Sequence, residues 1–587
     1  MRSSKWMLRN KKGDFRGLAA ELCVDPVITR IMLNRGIDGS EMKSFLEPDI
    51  SMLHDPHLLK DANKASQIIA KAVSEGKRLR VIGDYDVDGI FSTFILVSVL
   101  RRIGADVSFD IPHRITDGYG MNERLIRRAY EDGISLIVTC DNGIKSIDEV
   151  SLATELGMEV IITDHHELGF DLDASGNKHW NIPEASAVIN PHQPDCDYPF
   201  KELCGAVVAW KLASVLLEAA GLLDAVMEYL PYAAFATIGD IMPLRDENRV
   251  IVYYGLKAMP SIDNPGLLSL INHTGIEGRS LNTYDVGFIL GPCFNAAGRL
   301  DSALRGVELL LERDAAKASA IAEALRNLNE QRKQMTEEGT KLALEKLEQD
   351  NRLLDKVFVV YVPGLHESLA GIVAGRIKER FFRPSFVLTD AREGVKGSGR
   401  SIPGYPMSDR LHDVEDPLTR YGGHPMAAGV SMPAENVSDF TARLNDNAGL
   451  SEEELTATTY IDLAMPTSYI TFGLVEQLAR LEPFGEGNER PLFAEKDACF
   501  LGARYMGSEK QFLKFSLLGN GRDRLEAVYF GDAAALVETL KQRFGSDEVE
   551  KLFAGSKSAV RLTFSYYPQI NTFKGRSNLQ VRIEDYK

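Results

Sequence analysis

Apolar residues follow two patterns along the chain. In one they form short, mostly apolar stretches rich in valine and isoleucine: LRVI (79–82), VSFDIP (107–112), ISLIVTC (134–140) and MEVIITD (158–164). In the other they recur every three or four positions: DANKASQIIAKAVSEG (61–76), with Asp61 as N-cap and a stop at Gly76, NERLIRRAYEDG (122–133) and IDEVSLATELG (147–157). The runs predict strands buried on both faces, and the longer period predicts helices. A further helix follows the first strand from Ile90 to Leu100. This alternation predicts a doubly wound parallel sheet.

Beyond residue 203 the pattern is helical to about 313, interrupted by Gly239-Asp240-Ile241-Met242-Pro243-Leu244. Residues 314–350 contain no proline and read as one long helix joining two domains, with a brief interruption at Gly339 and its charges on a solvated face. A second α/β domain follows: KVFVVYVPG as a strand, SLAGIVAGRIKERF as a helix, SFVLTD as a strand and a helix around 437–447. Its glycine-rich stretches VKGSGRS (395–401) and GGHPMAAGVSM (422–432) read as turns. Past 456, short alternating strands (511–518, 525–531, 559–568, 579–586) and one helix near 533–544 predict a small β-barrel. The fold class is thus multidomain α/β, divided at 1–60, 61–313, 314–350, 351–455 and 456–587, with no job assigned to 1–60.

Composition narrows this picture little. A chain of 587 residues needs several cores, and 44% hydrophobic content is ordinary for a soluble protein. The longest apolar run, near Phe94–Leu100, is too short to span a membrane, and the basic N-terminus lacks the apolar segment of a signal peptide. Six scattered cysteines without a CxxC pair exclude a zinc ribbon and fit a reducing cytoplasm. The net charge of −17 does not exclude nucleic acid, because phosphate contacts need only a local basic surface.

The strand ends are where chemistry enters. LRVI runs through Gly83 into Asp84, Asp86 and Asp88. Alone, such a stretch reads as an acidic turn. ISLIVTC, however, ends at Asp141, MEVIITD ends at Asp164-His165-His166, and a helical block delivers Asp240. In open α/β sheets the carboxyl ends of strands line the ligand edge. Asp84, Asp86, Asp88, Asp141, His165 and Asp240 together form a carboxylate-rich set, suited to Mg2+ or, through the imidazole, Mn2+. One bridging carboxylate can hold two ions, which activate water and stabilise the leaving oxygen of a phosphate ester. No GxSxG, Walker GxxxxGK[ST] or strand-linked GxGxxG competes, and among the cysteines only Cys140 lies in a motif.

In this order, DYDVDG (84–89), CDNG (140–143), TDHHE (163–167), IGDIMPL (238–244) and GGHPMAAG (422–429) make the chain resemble the DHH phosphoesterase superfamily. With GPCFNAAGRL (291–300), HESLAGIVAGRI (366–377), GSGRS (397–401) and PFGEGN (483–488) it resembles, within that superfamily, the bacterial single-stranded-DNA-specific exonucleases, from about residue 60 to the C-terminus. The resemblance implies a DHH catalytic domain over 61–313, a DHH-associated substrate-binding domain over 351–455 and a nucleic-acid-binding OB-fold over 456–587. It implies Asp86 and Asp88 as the paired aspartates, Asp141 as the bridge, His165 as the imidazole ligand and Asp240 as the last carboxylate. Asp164 and His166 would support the ligands or face the phosphate, which places His166 in the catalytic set. Ile82 stands where some members carry a histidine, so Asp84 is expected to fill the vacancy as a ligand. Cys293 stands where an arginine is expected, which leaves Asn295 and Arg299 for the substrate; loss of that cation should either weaken the phosphate grip modestly or be covered by a neighbour.

In the second domain, Ser398, Arg400 and His424 are the implied substrate contacts. Glycine-rich turns let backbone N–H groups approach phosphate, and Arg400 offers a bidentate fork for a terminal phosphate. In the barrel, Phe512, Phe515, Tyr529, Phe530, Phe564, Tyr566 and Tyr567 are candidates to stack on bases, with Lys510, Lys514 and Arg504 nearby. The implied activity is processive 5′→3′ hydrolysis of single-stranded DNA to 5′-mononucleotides with two Mn2+ or Mg2+ ions, in recombination and repair. The implied setting is a cytoplasmic monomer, away from membranes, that takes strands with a 5′ end and meets single-strand-binding protein and a RecQ-type helicase. A competing reading, cleavage of short oligonucleotides or cyclic dinucleotides, leaves the barrel and long helix without a purpose. A non-catalytic binding protein would not need the intact ligand set.

Overall fold

Five parallel strands build the first sheet: β1 (Arg78–Ile82), β2 (Asp106–Asp110), β3 (Leu136–Cys140), β4 (Glu159–Thr163) and β5 (Ala187–Ile189), in the order β2-β1-β3-β4-β5. The order reverses between β1 and β3, and such a switch point opens a crevice at the carboxyl ends of the strands. After β1 comes α1 (Val87–Arg102), buried along almost its whole length, which is why its sequence shows no polar stripe. It packs against α2 (Gly205–Ala219) and α3 (Leu230–Gly239) in one core that includes Val81, Phe91, Val138, Ile161, Val208 and Phe235. The structure, a computed structural model, describes residues 4–173, 175–519, 524–573 and 575–587.

Asp61 does not cap a helix with its side chain. It adopts a left-handed φ of 63°, and its carboxylate accepts from the N–H of Val188 at 3.0 Å, so the helix runs Ala62–Ser74. The long helix α4 (Ala315–Gln349) is unbroken. The interruption expected at Gly339 is absent because tertiary contact decides that position. A β carbon there would come within 2.7 Å of Leu365 Cδ1, so the glycine permits close packing inside a continuous helix. One end of α4 joins the first core through Ala322 and Leu325, and the other joins a second core through Ala343 and Leu347.

The second sheet holds β6 (Phe358–Tyr361), β7 (Ser385–Asp390), β8 (Val395–Arg400), β9 (Arg420–His424) and β10 (Ala427–Met432), in the order β9-β10-β8-β7-β6. Only β6 and β7 run parallel; α5 (Ala370–Phe381) connects them and shares their core. The stretches expected to be glycine-rich turns are strands here. VKGSGR pairs with β7 and β10, and the turn lies at Pro425-Met426, between β9 and β10. The core explains the glycines of β8: a β carbon on Gly399 would lie 2.6 Å from the Phe386 ring, and one on Gly397 2.5 Å from Leu388 Cδ2.

These elements form the larger of two units, Ile50–Leu455 with Gly485–Asn488; the other comprises Met1–Asp49, Thr456–Phe484 and Glu489–Lys587. In the smaller unit, strands Phe493–Met506, Phe512–Leu518, Arg524–Tyr529, Arg576–Tyr586 and Arg561–Phe573 pair in that order, and the last pairs back to the first, closing a barrel. The N-terminal residues belong to this unit. Lys5–Leu8 pairs in parallel with Thr458–Ile461, while Ile28, Ile31 and Met32 enter the barrel's core. Phe515, Phe564, Tyr566 and Tyr567 are buried in that core and give no face to a base, whereas Phe530 is exposed. Among the described residues, no helix is long and apolar enough to cross a membrane.

Candidate functional site

The acidic residues converge at the switch point. Asp84, Asp86 and Asp88 lie where β1 gives way to α1, and Asp141 lies just past β3 at a left-handed φ of 61°, a conformation that aspartate tolerates. His165 follows β4 and Asp240 ends α3. Ligand atoms of Asp84, Asp86 and Asp141 lie within 4.8 Å of one another, as do those of Asp88, His165 and Asp240, and those of Asp141, His165 and His166. The Nε2 of His165 is 3.2 Å from Asp141 Oδ1, 3.7 Å from Asp88 Oδ2 and 3.8 Å from Asp240 Oδ2. All six sequence-derived ligand candidates are therefore gathered, with Asp141 between the two groups.

Local backbone chemistry orients them. Asp86 caps α1, accepting from the N–H groups of Asp88 at 3.0 Å and Gly89 at 3.1 Å. Asp88 points into the N-terminus of α2, accepting from Gly205 at 2.6 Å and Ala206 at 2.8 Å, where the helix dipole favours a negative charge. Asp164 holds the β4 turn by accepting from the N–H groups of Ile144, His165 and His166 and bonding His166 Nδ1 at 2.7 Å. Burial alone would raise its pKa, but the His166 hydrogen bond and charge take it down to about 2. Past Asp240, Ile241 takes a left-handed φ of 59°, a strained state for a β-branched residue. The Leu244 N–H donates to Glu486 O at 2.8 Å, so residues 485–488 of the PFGEGN segment hold the loop that follows Asp240.

The donor set fits divalent cations. Burial first, and then the neighbouring carboxylates, hold Asp84, Asp141 and Asp240 well above the usual carboxylate range, and burial does the same more mildly for Asp88. Asp84 Oδ1 is buried with no hydrogen-bond partner among the described residues. A group of such oxygens is electrostatically unfavourable until a cation compensates it. Cys140 is no nucleophile, since burial pushes its thiol up to about 12. Ile82 is fully buried in the sheet.

Positive charge gathers beside the carboxylates. Burial, then Arg114, Arg332 and Arg400, hold Arg299 below the ordinary arginine range, a concentration of guanidinium groups that a bound anion would relieve. Arg299 Nη1 donates to Ser368 O at 2.8 Å, tying the first α/β domain to the second. Cys293 is buried against Asn329 Nδ2 at 3.5 Å, and Arg332, one turn along α4, donates to Asn329 Oδ1 at 3.1 Å. A cation is thus present near the place where Cys293 lacks one. Asn295 is engaged within the fold, its Oδ1 accepting from Val87 N at 3.1 Å. On β8, Arg400 Nη1 donates to Ser398 Oγ at 3.0 Å, and Gly371 of α5 lies so close that a β carbon would meet Arg400 Nη2 at 2.6 Å. His424 feels the charges of Lys145 and His166 from the first domain.

Besides Arg332, three residues at the site escaped the sequence reading. Arg114 stacks 4.4 Å from the centre of the Tyr85 ring, Tyr119 donates to Asp141 O at 2.9 Å and meets His166 Nδ1 at 3.1 Å, and Gly205 serves Asp88. Arg114 and Tyr119 lie in the segment after β2. The rule that strand ends face the ligand, applied to β2 as well, would have found both.

Three family models match the chain: the DHH family N-terminal domain over residues 78–237, the DHHA1 domain over 354–449 and the RecJ OB domain over 461–585. The single-stranded-DNA-specific exonuclease RecJ of Bacillus subtilis is 37% identical across 99% of this chain and 70% of its own length. The Escherichia coli protein of that name is 32% identical across 100% and 99%. The crystal structure of Thermus thermophilus RecJ in complex with Mn2+ superimposes with a TM-score of 0.81 at 29% identity, covering 99% of this chain and 79% of that one. Its Mg2+ complex gives 0.76 at 28% identity, covering 99% and 78%.

Proposed function

The chain belongs to the RecJ family of single-stranded-DNA-specific exonucleases, and from that premise we propose that it hydrolyses single-stranded DNA from the 5′ end to 5′-mononucleotides, using Mn2+ or Mg2+ held by its buried carboxylates. The observation that carries this reading is the convergence of Asp84, Asp86, Asp88, Asp141, His165 and Asp240 beside a group of arginines from both α/β domains. Asp84, Asp86 and Asp141 would hold one ion; Asp88, His165 and Asp240, with Asp141, the other. When bound, the ion pair supplies the Lewis acidity that water activation and phosphodiester cleavage require.

The chain's own residues do the rest. Asp164 orients the turn that carries His165 and His166, and the Tyr119 hydroxyl meets the same His166 nitrogen, Nδ1, that Asp164 holds. Arg299 and Arg114 grip the phosphate under attack, while Arg400 and Ser398 of the second domain receive the terminal 5′ phosphate, with His424 in the same row of that sheet contacting the nucleotide or phosphate across the cleft. Charge-assisted, forked contacts of this kind fix both position and register. A crevice that grips one backbone between two domains excludes a duplex. The surroundings we assign are a cytoplasmic monomer acting in recombination and repair beside single-strand-binding protein and a RecQ-type helicase.

The test is degradation of 5′-labelled, 3′-labelled and duplex DNA with Mn2+, with Mg2+ and with chelator. Release of labelled mononucleotide first from the 5′-labelled single strand, abolished by chelator, is expected. Equal attack on duplex, or a rate higher on dinucleotides than on long strands, would reject the reading.

A further inference from the structure

The open face of the second sheet extends past Arg400 and Ser398. Strand register sets its residues in three rows: Arg400, Ala427 and His424; Ser398, Gly429 and Gly422; then Lys396, Ser431 and Arg420. Directly paired residues share a face and every second residue returns to it, so all three rows point the same way. The opposite face is filled by Phe386, Val395, Ala428, Val430 and Met432. On the open face the middle row has no side chains beyond Ser398. A β carbon on Gly422 would meet nothing within 4 Å, and one on Gly429 only Gly397 O at 4.0 Å. The result is a groove of about 440 Å³, floored by glycine and bordered by Lys396, Arg420 and Ser431.

The third row carries two cations on opposite sides of Ser431. Lys396 is paired with Glu367, whereas Arg420 has no carboxylate partner among the described residues. The row therefore retains one net positive charge. Successive rows are about 6.7 Å apart, two residues of strand, which is the reach of two further phosphoryl groups beyond one held at Ser398 and Arg400. A 5′ monophosphate would leave both the glycine floor and Arg420 unused.

We infer that this groove receives the polyphosphate chain of a 5′-triphosphorylated single strand, with Arg420 holding its far end. The inference rests on the proposed exonuclease reading, in which Ser398 and Arg400 bind the first phosphate. Hydrolysis then proceeds at the first internucleotide linkage. The oxygen of water bonds to phosphorus, the bond from that phosphorus to the 3′ oxygen of the first nucleotide breaks, and a proton passes to that oxygen. The first product is a nucleoside 5′-triphosphate, and the shortened strand carries an ordinary 5′ monophosphate.

The experiment uses the full chain with Mn2+ and single-stranded DNA ending in a 5′ monophosphate or 5′ triphosphate, identifying the first product by mass spectrometry. Release of a nucleoside triphosphate is expected. Arg420→Ala should raise KM for the triphosphorylated strand about tenfold, the worth of one charge-assisted hydrogen bond, leave KM for the monophosphorylated strand unchanged, and be rescued by Arg420→Lys. Glu367→Gln should lower KM for the triphosphorylated strand. Resistance of that strand while the monophosphorylated one is degraded would overturn the inference, as would equal effects of Arg420→Ala on both. Pyrophosphate or a dinucleotide as first product would also overturn it. Failure to degrade either strand would instead reject the exonuclease reading itself.

Discussion

Gly205 touches two of the clustered carboxylates at once. Its N–H donates to Asp88 Oδ2 at 2.6 Å, and a β carbon on it would lie 2.7 Å from Asp141 Cβ. The start of α2 thus serves as a gauge that sets the distance between Asp88 and Asp141. Gly205→Ala should displace Asp141 and raise the Mn2+ concentration needed for half-maximal activity about 10–100-fold, the usual effect of disturbing residues that orient ligands. Titration of activity against Mn2+, with equilibrium Mn2+ binding measured in parallel, checks this; an unchanged requirement would show that the contact is slack.

Asp141 sits between both ligand groups, so Asp141→Ala should abolish turnover while leaving the fold. In chelator the variant should melt at a higher temperature than the parent, because a buried carboxylate repelled by its neighbours has been removed. Added Mn2+ should raise the melting temperature of the parent and not of the variant. Thermal unfolding with and without Mn2+ provides the measurement, and retained cleavage would remove Asp141 from the site.

Arg400 and Arg332 should separate by substrate end. Arg400→Ala should raise KM more for a 5′-phosphorylated strand than for a 5′-hydroxyl strand, by roughly tenfold for one lost charge-assisted contact. Arg332→Ala should weaken both strands alike, since Arg332 is held by Asn329 on the long helix and makes no hydrogen bond to Arg400 or Ser398 among the described residues. Comparing KM on the two strands decides between end recognition and general backbone attraction.

Away from the site, Lys211 and Glu247 form a fully buried ion pair at 2.7 Å, closed by the Tyr198 hydroxyl donating to Glu247 at 2.5 Å and by Lys211 donating to His54 O at 2.7 Å. Glu247→Gln leaves the Lys211 charge uncompensated and should cost about 3–5 kcal/mol. Replacing both with methionine should recover much of that loss, because two desolvation penalties vanish together. Urea unfolding of the three proteins measures the difference.

Much of the site was legible because the chemistry occupies predictable places. Strands such as ISLIVTC carry no charge and are mostly apolar, so an Asp at their ends has no structural reason to be there, and the parallel fold brings those ends to one edge. Less legible were contacts set by shape. Nothing local distinguishes Gly339, which permits contact with Leu365, from a helix breaker, or the strand glycines 397 and 399 from turn glycines. The first sixty or so residues show a mixed pattern that assigns no element, and the partner of Lys5–Leu8 lies more than four hundred residues away at Thr458–Ile461.

The linear chain by itself determined the parallel sheet, the long helix, the barrel and the six ligand candidates, because periodicity and strand-end chemistry are local properties. Only the tertiary structure decided which oxygens meet, that Arg114, Tyr119 and Gly205 join them, that Asp61 braces Val188 instead of capping, and that the glycine-rich stretches pair as strands. Those outcomes depend on distances between segments remote in sequence, and packing sets such distances through contacts that no local pattern encodes.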